Sequence, residues 1–321
     1  MRISPRRTCV VLAAVTGLVV GSPAAAVADD GGFTVKDPRI TESSGLAASR
    51  AHPGVYWTHN DQDGPYVYAV DGRSGETVAR ITMRGVGKPR DMEAISVGPD
   101  GDVYVGDIGD NLNGSWDHVW IYRFPEPEVL KDQTVRATQY DVKYADGARN
   151  AEALMVHPKT GRVYIGSKEE DGAGLYEGPE KLATGRTNVF RKVHDIPWVT
   201  DGAFSPDGKR LVLRSYLSAE SYRWPEMGEG ESLGVGYRGQ SESVTFTPDG
   251  RTMLFGAEGE QSEVYALKVE GGSGSPSGSS SASPSGKPAP AEDPALSGKS
   301  VLLLGLAGAV VLAWLGFRRK R

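Results

Sequence analysis

Five times along the chain, the polar and apolar positions fall in one order. A polar or acidic residue opens a short apolar run, a Pro/Gly turn follows, and a second apolar run ends in a polar cluster. The openings are Ser44, Glu93, Glu152, Asp201 and Glu242, spaced by 49, 59, 49 and 41 residues. The second runs close on His59-Asn60-Asp61, on Asp107 with Asp110 and Asn111, on Ser167-Lys168-Glu169, on Arg214-Ser215-Tyr216, and on Glu258. Pro99-Asp100-Gly101, Pro206-Asp207-Gly208 and Pro248-Asp249-Gly250 supply turns. Pro fixes φ early in such a turn and Gly accepts the positive φ at its end. A third β-type run follows in every unit (66–70, 119–122, 174–176, 221–224, 263–267), and a fourth in most (77–82, 138–142, 189–193 and, less clearly, 233–237).

Four short strands repeated at about 40–50 residues are the mark of a propeller blade. The pattern therefore predicts an all-β, five-bladed β-propeller. The last unit lacks a fourth strand, and residues 33–36, upstream of the first unit, are expected to supply it and close the ring. A six-bladed ring, with a degenerate blade inside the 59-residue interval, is the alternative.

The segment Phe204-Ser205-Pro206-Asp207-Gly208-Lys209-Arg210-Leu211-Val212-Leu213 resembles the repeat of PD40/WD40-like propellers. Trp57-Thr58-His59-Asn60-Asp61, Asp91-Met92-Glu93-Ala94-Ile95 and Gly106-Asp107-Ile108-Gly109-Asp110-Asn111 resemble a broader group of secreted bacterial propellers, several of them phytase-like or esterase-like. The resemblance spans residues 40–268. It implies the fold, and it does not carry an activity over. The Gly-His and Trp-Asp signatures of true WD40 repeats are absent.

The ends have a different composition. Residues 1–28 read as a signal peptide: Arg2, Arg6 and Arg7, an apolar run over 9–20, then Ala26-Val27-Ala28 as the cleavage site. Cleavage removes Cys9, the chain's one cysteine, and with it disulfides, thiol catalysis and Cys-based metal sites. The extracellular body covers 29–270, and the Gly/Ser/Pro-rich stretch 271–299 reads as a disordered stalk. Residues 300–317 are expected to form a transmembrane helix, with the basic tail 318–321 in the cytoplasm. The expected location is the cell membrane, single-pass, with the body outside.

Charge narrows the partners. The chain carries 36 Lys and Arg against 41 Asp and Glu. Setting aside the seven terminal basic residues leaves 29 against 41, a body of net charge −12. That excludes nucleic acid, whose phosphates need a basic surplus. The expected partner is an extracellular small molecule, a cell-wall component or a protein. Gly234-Val235-Gly236-Tyr237-Arg238-Gly239 matches G-x-G-x-x-G without the strand and helix that a dinucleotide site needs.

In an antiparallel hairpin the start of one strand lies beside the end of the next. The unit openings and the closing clusters therefore share one end of the ring, with Glu93, Glu152, Asp201 and Glu242 at the channel mouth. Like charges gathered there demand compensation. Ca²⁺ is one answer, held by Glu93, Asp107, Asn111, Glu152, Asp201 and Glu242, with Asn60 and Asp61 helping. Pairing with Arg90, Arg149, Lys168 and Arg214 is another. Acids at strand starts can also accept backbone N–H groups of the adjacent blade and simply lock the ring. His59, Asn60, Lys168 and Arg214 are the candidate ligand-binding residues, and His59, Glu93 and Glu152 the candidate proton-transfer groups. Binding is the leading reading, and metal-assisted hydrolysis of phosphate esters or lactones the alternative.

Overall fold

The computed structural model describes residues 31–269 except Asn113 and Arg238, and every described element is a strand. The signal peptide, stalk and transmembrane segment expected from the sequence lie outside the described residues. Among those described, no helix is long and apolar enough to cross a membrane.

A two-residue strand, β1 (Phe33–Thr34), precedes the first meander of β2 (Ala47–Ala48), β3 (Val55–Thr58), β4 (Tyr66–Asp71) and β5 (Thr77–Arg84). The second contains β6 (Met92–Val97), β7 (Asp102–Asp107) and β8 (Val119–Pro125), then β9 (Gln133–Arg136) and β10 (Thr138–Tyr144). The third is β11 (Ala151–Val156), β12 (Val163–Ser167), β13 (Gly174–Glu177) and β14 (Asn188–Asp195). The fourth is β15 (Asp201–Phe204), β16 (Arg210–Arg214), β17 (Ala219–Arg223) and β18 (Glu231–Ser232). The last is β19 (Ser241–Phe246), β20 (Thr252–Ala257) and β21 (Glu263–Lys268). Its fourth strand is β1, antiparallel to β21, so the chain's start completes its final meander.

The expected third and fourth runs match these strands in most units. In the fourth unit the third run falls on β17, and the fourth does not match. There β17 starts at Ala219 and the outer strand is only Glu231–Ser232, ahead of the expected 233–237. Pro225 has no N–H to continue a ladder, so the strand ends before it and a turn intervenes. The 59-residue interval holds one extra strand. β9 pairs in parallel with β5 on the outer edge of the first meander, while β10 returns to β8. β10 also pairs in parallel with β14, which joins the second and third meanders into one eight-stranded sheet.

The first strands pack in a cycle: β2 on β6, β6 on β11, β11 on β15, β15 on β19, and β19 back on β2. Apolar residues that alternate along these strands meet across each seam, giving five separate core clusters. Trp57, fully buried, meets Phe124 edge-on at 6.4 Å. Trp224 packs on Tyr164 and Phe204, both at 5.0 Å. Both are seam residues, and each fully buried large apolar side chain contributes about 1.5–3 kcal/mol. Gly101, Gly208 and Gly250 take φ of 77°, 75° and 71°, the positive region required where each hairpin turns.

Candidate functional site

The inner strands carry their acids on irregularities. Ladder pairing slips by one residue between Met92 and Ala94, between Ala151 and Ala153, and between Ser241 and Ser243. The residues left over are Glu93, Glu152 and Glu242. The first unit slips in the same sense, since Ser43 bridges Asn60 while Ala47 pairs with Trp57. A bulge turns its extra residue out of the ladder and re-aims its side chain. Asp201 is the exception: it pairs regularly with Arg214.

The bulged residues form one chain of contacts. Ser44 Oγ lies 3.0 Å from Glu93 Oε2 and 3.1 Å from Glu242 Oε2. Tyr216 donates its hydroxyl to Glu242 Oε1 at 3.1 Å, and Lys168 Nζ donates to Tyr216 at 3.0 Å and to Glu152. Lys168 also lies 5.1 Å from the Trp198 ring and 4.9 Å from that of Tyr216. Four further carboxylates adjoin. Asp61, Asp91 and Glu93, all buried, present oxygens within 4.8 Å of one another, and Glu42, Asp61 and Glu258 form a second such group.

Electrostatics follow from burial. Burial, then the charges of Glu152 and Asp91, push the Glu93 pKa well above the carboxylate range. Burial pushes Glu152 up to about 7 against the opposing effect of the Lys168 ammonium. For Lys168, burial opposes the charge, but Glu152 with Tyr216 and Glu93 raises the pKa overall. The Ser44 hydroxyl has one proton for two carboxyl neighbours. It lies within reach of both Glu93 and Glu242.

Asp201 behaves as a lock between blades. Its Oδ2 accepts the Val244 N–H at 2.7 Å, and burial pushes its pKa well above normal. Arg214 is buried between the fourth and fifth meanders, bonded to the Tyr265 hydroxyl at 3.1 Å and 4.9 Å from the Phe255 ring. Its place is a seam. Asp107 accepts the N–H groups of Arg90 and Asp91 and the Tyr122 hydroxyl at 2.5 Å, which commits it to the fold. Asn111 donates to Asp91 Oδ2 at 3.0 Å, at the edge of the carboxylate group.

His59 is fully buried, with Nδ1 3.2 Å from the Asn60 carbonyl, and burial lowers its pKa to about 4. Its Nε2 is enclosed beneath Gly45, where an added Cβ would come within 3.2 Å of it. Asn60 staples the loop before it, accepting the Thr41 and Glu42 N–H groups, each at 3.1 Å, and donating to the Arg39 carbonyl. Of the four expected neutralising cations, only Lys168 reaches the acids of the chain. Arg149 pairs with Glu169 and Asp146, and the Arg90 guanidinium lies against Trp116 and Trp120. Sequence reasoning passed over Asp91 as a ligand, although its place two residues before the repeat acid was visible. Tyr216 stands in the fourth closing cluster, whereas Trp198 gave no sequence signal, because only the folded ring brings it to Lys168.

No family model and no curated protein sequence matches the chain. Solved structures similar to it include XC5397 from Xanthomonas campestris, a gluconolactonase important in glucose secondary metabolic pathways. It is 13% identical with a TM-score of 0.45, over 76% of this chain and 92% of that one. Kuenenia stuttgartiensis hydrazine synthase is 14% identical with a TM-score of 0.41, over 67% of this chain and 61% of that one.

Proposed function

We propose that the chain is a five-bladed β-propeller, exported and held in the cell membrane by residues 300–317, whose acidic mouth binds a divalent cation. Asp61, Asp91 and Glu93 are its ligands, and through it the protein binds an extracellular small molecule, a cell-wall component or a protein. The observation that carries this reading is a charge imbalance at the mouth. Asp61, Asp91 and Glu93, all buried, hold oxygens within 4.8 Å of one another, and the nearby Lys168 ammonium is bonded to Glu152 instead. Protons satisfy part of that imbalance, and a cation bound by oxygen ligands satisfies it at neutral pH. Hard carboxylate oxygens without nitrogen or sulfur favour Ca²⁺.

Thermal unfolding of the full-length protein in detergent tests it. At one hundred times its Kd, Ca²⁺ adds about 2.7 kcal/mol of stability, and EDTA removes it. Asp91→Asn loses that increment. Melting curves that coincide in Ca²⁺ and EDTA count against the reading.

One observation favours a second reading, cation-assisted hydrolysis of phosphate esters or lactones. Glu152, pushed up to about 7 beside Lys168, is tuned for proton transfer at neutral pH. Turnover of a generic phosphate ester or lactone that collapses in Glu152→Gln would support it, and a panel without turnover leaves binding as the function.

A further inference from the structure

The segment between β5 and β6 builds a groove that the acidic mouth does not use. Gly87 donates its N–H to Gln139 Oε1 at 2.8 Å, and the Asp107 carboxylate holds the N–H groups of Arg90 and Asp91. The stretch is thus fixed at both ends. Pro89 keeps the residue before it extended, so Lys88 and Arg90, two positions apart, face one way. Both line an open groove of about 580 Å³ with Gln62, Asp63, Pro89 and Trp120. That volume lies within the range of small-molecule sites, about 300–1,000 Å³.

The lining selects an anion. The Arg90 guanidinium lies over the rings of Trp116 and Trp120, 4.0 and 3.8 Å from their centres, and Nη2 donates to the His118 carbonyl at 2.8 Å. Those contacts fix the cation in place without neutralising it. Neither Lys88 nor Arg90 has a carboxylate partner among the described residues. Asp63, the acid in the lining, is engaged elsewhere: Oδ1 accepts the Gly64 N–H at 2.6 Å and Oδ2 the Tyr68 hydroxyl at 3.2 Å. Two cations against that carboxylate leave the lining with one positive charge. A planar carboxylate matches the N–H fork of a guanidinium. One negative charge balances the lining, whereas a second is repelled by the acid-rich body around it. Trp120, whose Nε1–H is held by Asp141 at 3.0 Å, adds an aromatic wall for the rest of such a molecule.

We propose that this groove binds an organic monocarboxylate, with its carboxylate on Arg90 and Lys88 and its apolar body against Trp120. The site works without the mouth cation. Isothermal titration of the full-length protein in detergent tests it, with benzoate, acetate, phenyl phosphate and benzyl alcohol as probes, in EDTA and again in Ca²⁺. Benzoate binds saturably in EDTA. It binds more tightly than acetate, which lacks a ring, and than phenyl phosphate, which carries the second charge. Arg90→Lys keeps the charge but loses the fork, and weakens benzoate about tenfold, close to 1.4 kcal/mol. Lys88→Gln, at an exposed position, weakens it about threefold with an unchanged melting curve. Should Arg90→Lys fail to fold, Lys88→Gln decides. No saturable benzoate binding in EDTA overturns the proposal, and binding confined to Ca²⁺ does so as well, because it assigns the anion to the mouth cation. Benzyl alcohol or phenyl phosphate binding as tightly as benzoate overturns it too, as does benzoate binding that Lys88→Gln leaves unaltered.

Discussion

At the hairpin-turn end of the ring, Asp207 accepts the Ser205 hydroxyl at 2.6 Å and Asp249 the Thr247 hydroxyl at 2.6 Å. Those bonds draw both carboxyl groups below their ordinary pKa. At the opposite end Glu93, Glu152 and Asp201 are shifted upward, all three chiefly by burial. The same functional group thus answers to its surroundings. A carboxylate near water with local donors is stabilised as an anion, whereas one packed against other carboxylates holds its proton. The turn-end acids shape individual hairpins, and the mouth acids tie distant segments together.

The comparison breaks most sharply at Lys168. Lys168→Met leaves Glu152 buried without its cation and should cost about 3 kcal/mol at pH 8, measured by urea unfolding. The cost should shrink at pH 5, where Glu152 is protonated. Wild-type stability in the variant at pH 8 would show that another group balances the mouth.

Next comes the pH dependence itself. A carboxyl whose folded pKa is raised stabilises the fold at low pH and loses that contribution as pH climbs through the folded value. For Glu152 the window runs from its ordinary 4.5 to about 7. Without divalent cations, unfolding free energy should fall between pH 5 and 7.5, by up to about 1.4 kcal/mol per pH unit for each proton the native state retains. Glu93→Gln should flatten this slope, and an unaltered slope would remove Glu93 from the proton-holding set.

The smallest effect lies at the turns and has the opposite sign. Asp207, with its pKa lowered, stabilises at neutral pH and loses that contribution as pH falls toward its folded value. Because the residue is exposed and screened, Asp207→Asn should cost only about 0.5 kcal/mol at pH 7. The difference from wild type should close in acid. A difference that grows in acid would contradict the assignment.

The repeat openings, the Pro-Asp-Gly turns and the closing role of Phe33 were legible in the sequence, because strand period and turn chemistry are local. So was the gathering of Glu93, Glu152 and Glu242, which needs only hairpin geometry repeated around a ring. The separate fates of similar residues were not legible. Glu93 and Asp201 open their units alike, yet one sits on a bulge and meets Ser44, and the other pairs regularly and locks onto Val244. His59 and Arg214, read as polar groups at strand ends, are enclosed by neighbouring blades, and Asp107 is spent on Arg90, Asp91 and Tyr122 of its own meander. Register slips of one residue, and contacts between segments up to 198 residues apart, settle these outcomes. A linear pattern encodes which residues alternate and where the chain turns. Which carboxylates face one another, and what must neutralise them, depends on long-range packing that no local window contains.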